Sequence, residues 1–293
     1  MVTLADQLDE LTHPGELVEQ LDEGALRCTA CAHRCLIKPG RRGICKVRFN
    51  HEGELRVPWG YVAALQIDPI EKKPFNHFLP GSDALTFGML GCDFHCEFCQ
   101  NWQIAHGAPQ STDFSPERVV EQARQEALRG YSNIGIAYTY NEPFMWYEFV
   151  LDTARLAKKA GLKNVMVTNG FVREDPLREI LPFIDAMNID VKSFTDEFYR
   201  KTCKGRLAPV LRTVEIAHRE CHVELTTLLV TGLNHSPEEI RRLVDWIASL
   251  VKVVKTSSPS SPSGSTSPVS GLIISGINMS SQMCSPFLAS IHS

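Results

Sequence analysis

Residues 84–90 read ALTFGML, an apolar run of strand length, and the cysteine-rich segment GCDFHCEFCQNW (91–102) follows it directly. Four further runs of the same kind come later, at NIGIAYTY (133–140), NVMVTNG (164–170), AMNIDVK (186–192) and HVELTTLLVTG (222–232). Short, continuous apolar runs bounded by turn residues are typical of strands that are buried on both faces. The sequence therefore predicts five buried strands from residue 84 onward.

Helix signals separate these runs. Ser115 and Pro116 form an N-cap and first-turn pair, and Gly130 marks the end of that helix. An amphipathic segment spans 143–161, and Ser236-Pro237-Glu238-Glu239 is a capping box that opens another helix. Strands alternating with helices predict an α/β fold with a parallel sheet, either a barrel or a doubly wound layer. In both architectures the chemistry lies at the carboxyl ends of the strands.

Cys92, Cys96 and Cys99 follow the first strand with C-x3-C-x2-C spacing. Three thiolates can bind three irons of a cubane cluster and leave the fourth iron open to a small molecule. A zinc site is the alternative, but structural zinc sites usually pair two C-x2-C knuckles and close to four ligands. The spacing favours a redox cluster.

A second group of cysteines, Cys28, Cys31, Cys35 and Cys45, lies near the N-terminus. Four thiolates are enough for a closed structural zinc site or for an auxiliary iron–sulfur cluster. A structural metal knuckle is the more conservative interpretation, because the segment is short, basic and rich in glycine.

The composition narrows the class of protein. The chain has 293 residues, of which 43% are hydrophobic and 22% charged, close to the average of folded globular proteins. The net charge of −4 provides no basic field, so nucleic acid is not an expected partner. Residues 1–10 show no secretory signal, and no apolar stretch is long enough to span a bilayer. We therefore expect a cytoplasmic protein without a membrane partner, in which the ten cysteines serve as metal ligands or thiols rather than disulfides.

The cysteine motif, with an aromatic residue before its last cysteine, resembles that of the radical S-adenosylmethionine (SAM) superfamily. GCDFHCEFCQNW, DPIEKKPFNHFLPG (68–81), CTACAHRC (28–35) and GRRGICKVR (40–48) are similar to segments of the AmmeMemoRadiSam radical enzymes, which are relatives of the pyruvate formate-lyase activating enzymes. The resemblance covers about residues 20–250. It implies a partial parallel (β/α)6-type TIM-like barrel with a small N-terminal cysteine-rich module.

The resemblance also implies roles for individual residues. Cys92, Cys96 and Cys99 would hold a [4Fe-4S] cluster, and its open iron would bind SAM. The SAM-binding residues implied at the strand ends are Tyr140, Asn141, Glu142, Asn169, Asp190 and Lys192. Glu142 would meet the methionine ammonium, whereas Tyr140 and Asn141 stand where the superfamily has two glycines.

The C-terminal part of the chain changes in composition. No Asp or Glu follows Asp245, and Thr256–Ser270 is almost entirely Ser, Pro, Thr and Gly. Such a segment cannot bury a core and is typical of a disordered linker. GLIISGIN (271–278) could pair as a short edge strand, but no helix signal follows it to complete a strand–helix unit. We therefore predict a barrel that lacks its last strand and is catalytically impaired. The predicted domains are an N-terminal module with its lead-in (1–83), the partial barrel (84–250) and a disordered tail (251–293).

The sequence thus predicts a radical SAM enzyme that cleaves SAM reductively to methionine and a 5'-deoxyadenosyl radical, which abstracts hydrogen from an unidentified substrate. The resemblance implies an electron donor such as flavodoxin or ferredoxin, and a protein is one candidate substrate. The alternative is a non-catalytic zinc or iron–sulfur protein that acts as an interaction scaffold or an electron carrier.

Overall fold

The N-terminal part of the chain folds into small antiparallel sheets. The computed structural model describes residues 10–107, 109–130, 132–256 and 272–279. The first strands are β1 (Thr12–Pro14), β2 (Val18–Gln20), β3 (Leu26–Cys28), β4 (Leu36–Ile37), β5 (Phe49–His51), β6 (Glu54–Pro58) and β7 (Tyr61–Val62). Six of them form two three-stranded sheets, β1-β6-β5 and β2-β3-β4, and β7 pairs antiparallel with a short strand at Thr112–Asp113. Glu52 and Gly53 connect β5 to β6 with φ values of 51° and 90°, the backbone conformation that two-residue hairpins require.

The rest of the chain alternates strands and helices. Its elements are β8 (Ala64–Pro69), β9 (Asp83–Gly88), α1 (Trp102–His106), β10 (Thr112–Asp113), α2 (Pro116–Leu128), β11 (Asn133–Tyr138), α3 (Tyr147–Lys159), β12 (Lys163–Thr168), α4 (Glu174–Ile180), β13 (Ala186–Asp190), α5 (Asp196–Phe198), α6 (Leu207–Ala217), β14 (His222–Leu229), α7 (Pro237–Thr256) and β15 (Leu272–Met279). Short 3₁₀ turns lie at Asp22–Gly24, Ile70–Lys72, Pro143–Trp146 and Leu181–Phe183, and a π-helical turn lies at Tyr199–Cys203.

Seven strands form the main sheet in the order β15-β14-β13-β12-β11-β9-β8. Six of them pair in parallel, and β8 pairs antiparallel with β9 at one edge. The five predicted strands are confirmed as β9, β11, β12, β13 and β14, with ends that differ by at most a few residues. The protein is therefore an α/β protein with a parallel sheet of six strands.

The prediction of a missing last strand is wrong. β15 pairs in parallel with β14 from Val223 opposite Leu272 to Leu229 opposite Met279. The preceding helix continues to Thr256, beyond the predicted boundary at residue 250. Residues 272–279 read LIISGINM, and their apolar content is enough for an edge strand despite the Ser/Pro-rich stretch before them. The reason for expecting impaired catalysis is thereby removed. Residues 257–271 and 280–293 lie outside the described residues, and the three domain limits stay predictions.

The predicted helix starts are present. The Ser115 side chain accepts a hydrogen bond from Arg118 N at 3.3 Å, so it caps α2 as expected. Ser236 accepts in the same way from Glu239 N at 3.2 Å. The Glu239 carboxylate does not turn back to close the capping box but accepts from Ser193 Oγ and Phe194 N at 2.5 and 2.7 Å. It thereby ties α7 to the loop after β13.

A buried ion pair joins the N-terminal sheets to the main sheet. Arg48 donates two hydrogen bonds to the Glu148 carboxylate on α3, at 2.8 and 2.7 Å, and both side chains are almost fully buried. Glu148 also accepts from Glu16 N at 3.0 Å. Burial would raise the pKa of Glu148, but the Arg48 charge holds it below its ordinary value.

A second buried carboxylate, Glu224 on β14, anchors the segment between β8 and β9. It accepts hydrogen bonds from the backbone N–H groups of Asn76, His77 and Phe78 at 2.9 to 3.0 Å. The His77 and His222 rings lie within 3.3 and 3.0 Å of the same carboxylate. Burial acts to raise the pKa of Glu224, but these hydrogen bonds outweigh it and lower the pKa to about 2.

No helix in the part of the chain that the structure describes combines the length and the apolar character needed to cross a bilayer.

Candidate functional site

The carboxyl ends of the parallel strands surround a cavity of about 520 Å³. All nine residues that the sequence analysis assigns to the cluster and to SAM line it, namely Cys92, Cys96, Cys99, Tyr140, Asn141, Glu142, Asn169, Asp190 and Lys192. Asp190 is the last residue of β13, and the other eight lie in the segments that follow four different strands, β9, β11, β12 and β13. A parallel sheet brings such loops together at one edge, which explains why residues far apart in the sequence meet here.

The cysteine loop is held by its backbone. Gly91 has a φ of 90°, and a Cβ at this position would lie 2.5 Å from a Val47 methyl group, so only glycine fits between β9 and the loop. The Gly91 carbonyl accepts from Asn141 Nδ2 at 2.6 Å. Further along, His95 N and Glu97 N donate to the carbonyls of residues 203 and 202 at 3.0 and 3.2 Å. The loop is thus fixed on two sides before any ligand binds.

The three thiols of this loop have different environments. Burial raises the pKa of Cys92 and of Cys99. The pKa of Cys96 is lowered, because the Cys203 thiol donates a hydrogen bond to it and the Lys192 charge also favours the thiolate, although burial opposes both. Among the described residues, no three His, Cys, Asp or Glu side chains converge on a single metal ion. Three thiols from one short loop along a single cavity wall can bind three irons of one cluster.

Glu142 is the most buried carboxylate of the cavity, with 1% of its surface exposed. It accepts hydrogen bonds from Phe144 N at 3.2 Å, Thr168 Oγ1 at 2.8 Å and Asn169 N at 2.8 Å. A carboxylate has about four acceptor positions, so one stays open to a ligand. Burial, together with the charge of Asp93, raises the pKa of Glu142 to about 8. A cationic ligand group would favour its ionised form.

Asn169 bridges two carboxylates. Its side-chain Nδ2 donates to Asp93 Oδ1 at 2.7 Å, while its backbone N–H donates to Glu142. Its Oδ1 accepts from Phe171 N at 2.8 Å. The amide that the resemblance assigns to SAM is therefore largely engaged within the protein, where it positions Glu142 and the cysteine loop.

Asp93 is a residue of the site that the sequence analysis missed. It is buried, its Oδ2 has no hydrogen-bond partner, and burial raises its pKa to about 6. In the sequence, only its position directly after Cys92 pointed to a role for Asp93 in the site. An acidic residue at that place is equally compatible with an exposed turn.

Asp190 and Lys192 form an ion pair within the cavity, with Asp190 Oδ2 2.5 Å from Lys192 Nζ. Burial would lower the pKa of Lys192, but the charges of Asp190 and Cys96 raise it well above its ordinary value. Lys192 is therefore a fixed cation beside the cysteine loop. The second oxygen of Asp190, Oδ1, is buried without a partner.

Tyr140 occupies a strained backbone position, with a φ of 71°. A bulky side chain rarely adopts this left-handed conformation, whereas glycine adopts it freely. The Tyr140 hydroxyl bonds to Gln66 Nε2 and, at 3.0 Å, to Asp68 Oδ2. Lys73 Nζ lies 4.3 Å from the centre of the ring. The backbone at Tyr140 thus has a conformation that glycine adopts more easily than tyrosine. The contacts of the Tyr140 side chain stabilise this conformation.

The unpartnered polar atoms of the cavity are acceptors. Asn141 Oδ1 and Asp190 Oδ1 are buried without a hydrogen-bond partner. Buried polar groups are normally satisfied, so these oxygens indicate a ligand that donates hydrogen bonds. The ammonium and ribose hydroxyl groups of SAM are such donors, and the residues present fit this cofactor.

The four N-terminal cysteines lie apart from this cavity. Cys28, Cys31, Cys35 and Cys45 line a separate cavity of about 10 Å³, and all four are free thiols. The structure thus places the two groups of cysteines in separate cavities.

Comparison with known proteins identifies the family. The model of the Radical SAM superfamily matches residues 87–247. An uncharacterized protein of Methanocaldococcus jannaschii is 42% identical over 234 residues, which cover 78% of this chain and 68% of that protein. Pyruvate formate-lyase 1-activating enzyme of Escherichia coli is 28% identical over 184 residues, 60% of this chain and 72% of the enzyme.

A solved domain of the pyruvate-formate lyase-activating enzyme from Bacteroides vulgatus superposes with a TM-score of 0.36 and 18% identity over 39% of this chain and 71% of the domain. The family match covers more than half of the chain, including all the cavity-lining residues named above. The chain therefore belongs to the radical SAM superfamily and is an enzyme related to the activating enzymes.

Proposed function

We propose that Cys92, Cys96 and Cys99 hold a [4Fe-4S] cluster and that SAM binds in the adjoining cavity. The observation that carries this proposal is the convergence of all nine expected residues on one cavity of about 520 Å³. A volume of this size is typical of sites for cofactors and small ligands. The family match supports both the cluster and the cofactor.

The residues of the cavity divide the recognition of SAM between them. The open acceptor position of Glu142 receives the methionine ammonium. The unpartnered oxygens of Asn141 and Asp190 accept from the amine or the ribose hydroxyls. Lys192 offers its charge to the methionine carboxylate while Asp190 keeps it in place. Asn169 and Tyr140 mainly position the neighbouring backbone.

Held by Cys92, Cys96 and Cys99, a reduced cluster would supply the electron for reductive cleavage of SAM to methionine and a 5'-deoxyadenosyl radical, which would abstract hydrogen from the substrate. The protein must keep water away from this reaction. Phe94, Phe98 and Leu228 form apolar parts of the wall, next to the polar groups that orient the cofactor. Such exclusion of competing donors is the usual contribution of a protein to cofactor chemistry.

The relatives suggest the class of substrate. They include enzymes named as activating pyruvate formate-lyase, 4-hydroxyphenylacetate decarboxylase and isethionate sulfite-lyase. We infer that this enzyme also acts on a protein and receives its electron from an external donor such as flavodoxin or ferredoxin. A cytoplasmic location suits an open cluster that depends on low-potential electrons. The family match favours the enzyme over a non-catalytic scaffold or electron carrier.

The test is formation of 5'-deoxyadenosine by the anaerobically reconstituted enzyme with a chemical reductant. Wild type should form it, and the triple variant with Ala at positions 92, 96 and 99 should lose both the product and the SAM-responsive EPR signal. Cys221→Ser, a buried cysteine outside the cavity, is the matched control. A triple variant that keeps the signal, or a wild type that binds iron but never cleaves SAM, contradicts the proposal.

A further inference from the structure

The N-terminal cysteine cavity has the size of a single ion. Its volume of about 10 Å³ holds about one water-sized particle. Three of its four cysteines are buried, and Cys35 is partly exposed. Its other lining residues are mostly apolar or uncharged, with Arg48 as the one fully buried cation among them.

Two turns present the thiols. Arg34 N donates to the Cys31 carbonyl at 3.2 Å, and Lys46 N donates to the Gly43 carbonyl at 2.9 Å. Arg34 and Lys46 both have positive φ, 50° and 63°, so each turn closes tightly beside its cysteine. Strand pairing of β3 with β4 brings Cys28 and Cys35 together, because Cys28 N donates to the Cys35 carbonyl at 3.0 Å.

Backbone donors point at the sulfur atoms. Ile44 N lies 3.5 Å from Cys35 Sγ and donates to it. Burial raises the pKa of Cys31 well above its ordinary value and that of Cys45 to about 12, and the backbone N–H groups of His33 and of Arg48 oppose this shift. Such donors stabilise a thiolate, and the thiolate is the form that binds a metal.

We propose that Cys28, Cys31, Cys35 and Cys45 bind one zinc ion and that this site fastens the N-terminal module onto the cysteine loop of the radical SAM site. Four thiolates around one small cavity are the ligand set of a closed structural zinc site. In the described part of the chain the thiols do not yet converge on a common point. Zinc binding by all four thiols therefore includes a turn of at least two of them into the cavity.

The fastening role follows from what the turn at residues 29–34 contacts. His33 Nε2 lies 3.0 Å from the carbonyl of Asp93, the residue after Cys92. Ala32 N donates to the Phe171 carbonyl at 3.0 Å, and Arg206 donates to the Ala32 carbonyl at 2.6 Å. One turn thus supports the cysteine loop and the loop that carries Asn169. One zinc ion bound by Cys28 and Cys35, which flank this turn, would fix the shape of the turn.

The first measurement is the metal content of the holoenzyme. Anaerobically purified and reconstituted wild type should contain one zinc per chain together with the iron of one cluster. Cys35→Ser and Cys45→Ser should reduce zinc to less than about a fifth of an ion per chain without removing the cluster iron. Cys221→Ser should leave zinc unchanged. Cys92→Ala should lose iron and keep zinc.

Cobalt substitution provides a readout that needs no variant. Wild type grown with Co²⁺ in place of zinc should show the intense visible bands of a tetrahedral tetrathiolate centre. Removal of the metal should increase hydrogen exchange in the segments around Asp93 and Phe171 by about tenfold. Wild type without zinc and without these cobalt bands overturns the inference. Iron for two clusters per chain also overturns it, in favour of a second cluster.

The fastening part of this inference rests on the proposed function, because it takes the loop at Cys92 as the cluster loop. Different results would contradict the proposed function and this inference. An enzyme with zinc that never cleaves SAM would contradict the proposed function alone. An enzyme that cleaves SAM but binds no zinc would contradict this inference alone.

Discussion

The Glu224 carboxylate should contribute strongly to the stability of the fold. It is completely buried and accepts three backbone N–H groups from residues 76–78. Its pKa is about 2 in the folded protein, against an ordinary value near 4.5. A depression of this size corresponds to about 3 kcal/mol of stability at neutral pH. The stabilisation is present above the unfolded pKa and is lost as the pH falls from about 5 to about 2.

Glu224→Gln should remove most of this stabilisation, because a carboxamide has one acceptor oxygen and its NH₂ group would face buried donors. We expect the free energy of unfolding at pH 7 to fall by about 3 kcal/mol. The difference from wild type should shrink by about 1 kcal/mol at pH 4, since wild type then begins to lose the same stabilisation. Anaerobic urea unfolding measures both values.

The control for this variant is Glu220→Gln, an exposed carboxylate close by in the sequence, which should change stability by less than about 0.5 kcal/mol. Hydrogen exchange adds a local readout, because the amides of Asn76, His77 and Phe78 should lose protection in Glu224→Gln. If the variant loses less than about 1 kcal/mol at pH 7, or if the loss is the same at both pH values, the carboxylate does not have the role assigned to it.

Two further predictions concern the SAM cavity. Glu142→Gln should weaken SAM binding at least about tenfold at unchanged iron content, because a charge-assisted hydrogen bond to the ammonium is lost; calorimetric titration measures it, and an unchanged dissociation constant would contradict this role. Tyr140→Gly should be more stable than Tyr140→Ala by about 1 kcal/mol, because both lose the side-chain contacts but only glycine relieves the positive φ. An alanine variant at least as stable as the glycine variant, in thermal unfolding, would show that the backbone at this position is not strained.

The sequence predicts the strands of this fold well because buried parallel strands are marked by local composition. ALTFGML (84–90) is an almost continuous apolar run, AMNIDVK (186–192) alternates apolar and polar residues, and both segments contain strands in the structure. The last strand was missed for a physical reason. LIISGINM (272–279) is also rich in apolar residues, and it pairs with β14 in the structure. No helix signal follows it, so it lacks the strand–helix repeat that marks the predicted strands. The Ser/Pro-rich stretch before it carries the opposite local signal.

For the candidate site, too, the sequence predicts where residues lie but not which contacts they make. The cysteine spacing and the strand-end positions bring all expected residues to one cavity. What each side chain does there depends on its neighbours in three dimensions. Asn169 is occupied by Asp93 and Glu142, and Lys192 is paired with Asp190. Sequence reasoning has no access to the pairing of Asp93 with Asn169, because 76 positions separate them. Asp190 and Lys192 are close in the sequence, but their ion pair depends on side-chain directions that the sequence alone does not give.

The place of β15 in the chain has a consequence for biosynthesis. β15 is the edge strand of the sheet and also the last strand that the structure describes, so β14 has no neighbour on that side while the chain is being made. Synthesis from the end of β14 to the end of β15 takes roughly 3 to 10 s at typical elongation rates. During that interval the N–H and C=O groups along β14 are open to pairing with other chains. A nascent chain of this enzyme is therefore most exposed to misassembly just before its sheet is complete, and expression at low temperature or with chaperones should raise the soluble yield.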